Sequence, residues 1–103
     1  LTPEIAMAKI KIQENVDAQA DLFPAALEWL QTYPTASPEL VREAVDFTRL
    51  RLTAARPDRA RQFYQTLTVL AIKQPGDDNR VGLTAHILNE RKKLEAIMPE
   101  VSK

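Results

Sequence analysis

Three prolines sit where an α-helix takes its first residue, and they constrain the fold of this 103-residue chain more than any other feature. Thr2-Pro3-Glu4 offers a capping hydroxyl, a ring that presets helical φ, and an acid at the positive end of the helix dipole. Ser37-Pro38-Glu39 repeats that order, and Pro57-Asp58 opens a third segment. Only two glycines interrupt the chain, and "QPGDDN" at 74–79 is its strongest break. The one alternating stretch, "KIKI" at 9–12, lies inside a longer run of helical spacing. The expectation is an all-α fold, a compact bundle or short helical-hairpin array of about five helices without a sheet. It folds as one domain over 1–103, complete or excised from a longer protein.

The apolar spacing assigns each helix an inner face. The first runs to about Ala20 with Ile5, Ile12 and Val16 inward beside Ala8 and Ala20. Met7 and Ile10 point the other way, either into a further internal contact, the preferred reading, or as an oligomer face for a second copy. Asp21 caps a mostly buried second helix, "LFPAALEWLQTY", carrying Leu22, Phe23, Ala26, Leu27, Trp29, Leu30 and Tyr33. The third turns Leu40, Val41, Ala44, Val45, Phe47, Thr48 and Leu52 inward, and Glu39, Arg42, Glu43, Asp46, Arg49 and Arg56 outward. The fourth buries Ala60, Phe63, Tyr64, Leu67, Leu70 and Ala71, and Val69 and Ile72 outside that stripe mark it as central. Asp77, Asp78 or Asn79 caps the fifth, with Leu83, Ile87, Leu94 and Met98 inward, Pro99 closing it and Ser102 in a frayed tail. A faint echo joins two units. Leu27, Leu30, Pro34, Ser37, Leu40, Ala44 and Phe47 align with Leu67, Leu70, Pro75, Asp78, Val81, Ala85 and Leu88 after one inserted residue, a period in the range of helical hairpins.

Several chemistries are poorly supplied. Without cysteine there is no disulfide, thiolate zinc site or cysteine nucleophile, and without a Gly-rich loop no phosphate cradle. The single histidine, His86, stands four residues before Glu90, half of a zinc-binding helix without its second histidine; a local side-chain pair is expected, with no metal and no cofactor. No apolar run approaches the roughly twenty residues of a membrane span. The chain opens on Leu1 without a secretory leader, which points to a cytoplasmic protein or a domain of a larger one.

Neutral overall, the chain is polarised: residues 1–47 carry eight acids against three bases, residues 48–103 six against eleven. The halves attract, within the domain or between copies stacked head to tail. "RLRLTAARPDRAR", 49–61, packs five arginines into thirteen positions. Arg49 and Arg42 belong to an outer ladder with Glu39 and Asp46. Arg51 falls in the apolar arc, and either extends its head to water, the preferred reading, or meets a carboxylate from another helix. Arg59 and Arg61 oppose the dipole of the helix they open, at about 0.3–1 kcal/mol each. Asp58, acids of the N-terminal half, or an external anion held with Arg56 compensate them.

This inventory points to a non-catalytic helical protein-interaction module or adaptor. It binds a peptide, helix or second copy through an inter-helix groove and an Arg-rich corner of Arg51, Arg56, Arg59, Arg61, Gln62 and Gln65. The alternative is a helix-turn-helix-like nucleic-acid-binding domain whose fourth helix offers Arg59, Arg61, Gln62, Gln65 and Thr66 to a groove, though a neutral chain is a poor electrostatic match to DNA.

Overall fold

The computed structural model describes residues 1–53 and 55–102. They form α1 (Pro3–Val16), α2 (Phe23–Thr32), α3 (Pro38–Arg49), α4 (Pro57–Lys73) and α5 (Val81–Ile97), with 3₁₀ turns at Asp78–Arg80 and Pro99–Ser102. Among the described residues there is no strand, and the fold is all-α as the proline pattern dictates. Thr2 Oγ1 accepts from the Ile5 N–H at 3.2 Å, and Ser37 Oγ from the Leu40 N–H at 3.3 Å. Each satisfies one of the amide donors that a helix start leaves unpaired. The opening of α2 differs from expectation. Leu22, not Asp21, takes the cap position without a side-chain bond, and the Asp21 carboxylate is engaged by Arg59. α1 ends at Val16 instead of Ala20, where Asp17 turns extended and its carboxylate accepts from the Gln19 N–H.

Two hairpins, α2–α3 and α4–α5, build the centre. α2 packs on α4 and α3 on α5, so the four helices close a ring around Phe23, Leu30, Val41, Val45, Phe63, Leu67, Leu70 and Ile87. α2 and α4 run in the same direction, since Asp21 meets Arg59 at their N-terminal ends and Pro34 meets Gln74 at their C-terminal ends. Only 16 Å separates the two broad sides of the Cα trace.

α1 lies outside the ring against α2, with its faces reversed from the expectation. Met7 is 2% exposed, and Ile10 packs on the core, so the oligomer face proposed for this pair is an internal contact. Ile5, Ile12 and Val16 are exposed. The two stripes lie on opposite sides of the helix and are about equally apolar; partners outside α1 decide between them. The Trp29 indole N–H donates to the Pro3 carbonyl at 3.0 Å, and Glu14, on the Met7 side, reaches Arg51.

Three other expectations change. Val69 and Ile72 are exposed, so α4 is not covered on that side. The echo holds for Leu27/Leu67 and Leu30/Leu70, all buried, then slips one residue further: three of the four buried positions of α3, Val41, Val45 and Thr48, match Leu83, Ile87 and Glu90, the fourth, Ala44, falls opposite half-buried His86, and Val81 and Leu88 are exposed. The 3₁₀ turn before α5 accommodates the slip. Pro99–Ser102 also joins the fold, packing back on α4 and α5 to bury Val101.

Candidate functional site

The residues singled out in the sequence go to different places. Arg51 meets a carboxylate from another helix, contrary to the preferred reading. Its guanidinium donates to Glu14 of α1 and to the Phe47 carbonyl (2.7 Å), and stacks 3.3 Å from the Phe47 ring centroid. Arg59 bonds Asp21 through both terminal nitrogens, one at 2.7 Å, with its guanidinium carbon 5.1 Å from the Phe23 ring centroid. An acid of the N-terminal half is thus what compensates the cation at the start of α4. Arg56 turns to Asp58 at 3.4 Å, and Arg61 is exposed with no ion pair among the described residues. The arginines of 49–61 are therefore not one free surface.

The outer ladder of α3 does not form either. Among the described residues neither Arg42 nor Arg49 makes an ion pair, and the acids reach across to other helices instead: Glu43 to Lys11 of α1, Asp46 to His86 of α5. The opposite charges of the two halves meet inside the domain at Glu14–Arg51 and Asp21–Arg59.

The bidentate Arg59 bond holds the Asp21 carboxyl below its ordinary range, with the nearby Arg59 and Arg56 charges adding to it. A carboxylate whose pKa is depressed on folding stabilises the fold fully above the unfolded-state value, and that contribution is lost as pH falls through the folded-state value. Urea unfolding of wild type and Asp21→Asn, taken from neutral pH downward, should show the stability difference shrinking only below the ordinary aspartate range near 3.8. A difference independent of pH would mean that the pair contributes nothing.

Gln62 and Gln65 do come together, along a groove of about 540 Å³ between α2 and α4. Its walls follow from helical spacing: Leu27, Leu30, Gln31 and Pro34 on one side, Gln62, Gln65, Thr66, Val69 and Lys73 on the other. Leu70 also lines it, and a Gln31–Thr66 hydrogen bond of 3.3 Å crosses between the walls. Lys73 is the one charged lining residue. Gln31, Val69 and Lys73 were not among the predicted site residues; the exposure of Val69 outside the inner stripe of α4 was the available signal.

A second cluster was likewise missed. His86 does not pair locally with Glu90; its Nε2 lies 2.7 Å from Asp46 Oδ1. Glu90 is only 7% exposed, and one donor atom from each of Asp46, His86 and Glu90 lies within 4.8 Å of the others. Forty residues separate Asp46 from His86, beyond the reach of any i, i+4 pattern.

Compared with protein families, curated proteins and solved structures, the chain matches none.

Proposed function

We propose that this domain is a non-catalytic protein-interaction module whose α2–α4 groove receives an amphipathic helix of a partner protein. One observation carries the reading. Both walls present residues at i, i+3, i+4 and i+7 along parallel helices, with exposed Val69 beside the buried Leu27, Leu30 and Leu70 and amides along the edges. A helical ligand fills such a slot with its own i, i+3, i+4, i+7 side chains. No acid lines the groove and Lys73 stands at its C-terminal end, so the ligand that fits carries an apolar stripe and a carboxylate at that end. Arg51 and Arg59, held by Glu14 and Asp21, support the fold beside the groove instead of its rim. Nothing observed favours the helix-turn-helix alternative, in which Arg59 would have to leave Asp21.

Displayed amphipathic helices bearing such a carboxylate, selected against the domain, test this. Amide shifts on titration with a selected peptide should centre on Gln31, Gln65, Val69 and Lys73, and Val69→Glu should weaken binding about tenfold or more by placing a charge beside these leucines. Val69 is 49% exposed, so that variant stays folded. Peptides that footprint elsewhere, or that bind Val69→Glu as well as wild type, would refute the assignment. Concentration-dependent self-association lost in Val69→Glu would identify a second copy as the occupant instead.

A further inference from the structure

The geometry points to a divalent-cation site at the α3–α5 contact, formed by Asp46, His86 and Glu90 and suited to Zn²⁺ and similar borderline cations. The three residues offer one imidazole nitrogen and two carboxylate oxygens within 4.8 Å of one another. His and carboxylate donors are an ordinary set for zinc, and three protein ligands leave a fourth position for water.

The independent observation is Glu90. Its side chain is nine-tenths buried, yet its carboxylate accepts no hydrogen bond from any described residue and has only Lys93 Nζ, at 3.9 Å, as an ion-pair partner. Its oxygens keep a narrow opening to solvent, and a carboxylate so enclosed and short of protein donors has lone pairs to offer a cation. This one stands one helical turn from His86, on the same face of α5. It also occupies the place that Thr48 takes in the other hairpin, where the hydroxyl satisfies itself by donating to the Ala44 carbonyl at 2.7 Å. A carboxylate in that place can offer its oxygens to a cation.

The fit requires modest movement. Zinc bonds of about 2.0–2.2 Å set tetrahedral donor separations near 3.4 Å. The widest pair must therefore close in, and the direct Asp46–His86 contact must open to admit the ion, Nε2 giving up to solvent any proton it shares with Asp46. Asp46 has the freedom for this: its side chain is half exposed and borders an open hollow of about 480 Å³ along α3, with Glu39, Arg42 and Glu43. Two carboxylates and a neutral imidazole balance a divalent charge, whereas Lys93, more than half exposed, can swing away into water.

Because His86 is the only histidine, its ring protons report on this position alone once any affinity tag is removed. Titrating the intact chain with CoCl₂ should bind one equivalent and give paramagnetically shifted imidazole resonances, and ZnCl₂ should compete. His86→Gln and Glu90→Gln should each weaken binding about tenfold or more, and ZnCl₂ should raise the thermal midpoint of wild type but not of His86→Gln. Asp46→Asn, on the more exposed side chain, provides the same loss should Glu90→Gln fail to fold. Imidazole resonances that do not respond to Co²⁺, or equal binding by wild type and His86→Gln, would overturn the proposal.

Discussion

Phe63→Ala should destabilise the domain by about 3–5 kcal/mol, the usual range for removing a buried phenylalanine ring. Phe63 is completely buried on α4, amid a core to which α2, α3 and α5 all contribute. The Cα trace is only 16 Å thick, so no deeper layer of side chains can settle into the void. Since small domains are stable by about 5–15 kcal/mol in total, the variant should sit near its unfolding transition. Urea denaturation followed by the fluorescence of Trp29, the only tryptophan, measures it. Phe63→Leu, which keeps most of the volume, should cost less than about half as much. A loss below about 1 kcal/mol for the alanine variant would show that the ring is not at the packing centre.

Arg80→Leu should cost about 2–3 kcal/mol although no ion pair is broken. Arg80 is 6% exposed and has no carboxylate partner among the described residues. Its Nε donates to Gln74 Oε1 at 3.0 Å, and a terminal nitrogen donates to the Ala36 carbonyl. Gln74 in turn donates to the Pro34 carbonyl at 2.6 Å and the Leu70 carbonyl at 3.1 Å. The guanidinium thus fastens the α2–α3 turn to the α4–α5 turn through two part-buried carbonyl acceptors. Leucine replaces the volume near the backbone and leaves Ala36 O and Gln74 Oε1 unsatisfied. Arg80→Lys should recover only part of the loss, because one ammonium cannot reproduce the fork. Unfolding in urea at low and high salt should give nearly the same difference, as the acceptors carry no formal charge. A loss that vanished with salt would point to an unrecognised ion pair.

What the sequence conveys about this fold is local. Thr2-Pro3 and Ser37-Pro38 start helices because cap, ring and amide donors are neighbours in the chain, and the buried stripe of α4 follows from a single periodicity. Periodicity also revealed that α1 has two apolar faces, but not which one turns inward. That depends on Trp29 reaching Pro3 and on Arg51 reaching Glu14, contacts 26 and 37 residues apart. The same limit hid the site residues. Asp46 was assigned to neighbouring arginines on its own helix, whereas the crossing of α3 and α5 brings it to His86. Arg80 lies beside the acids of "GDDN" and reads as a solvated charge until the chain folds two carbonyls around it. Gln62 and Gln65 were legible as an exposed face of α4; that α2 would supply the opposite wall was not.

The fastening by Gln74 and Arg80 has a counterpart at the other end of the same helix pair, where Arg59 grips Asp21. Cross-links at both extremities oppose the spreading or narrowing of the trough between the two helices. On the proposed reading of the groove, discrimination would rest on the girth of the incoming segment, with the disorder surrendered on docking falling mostly on that segment.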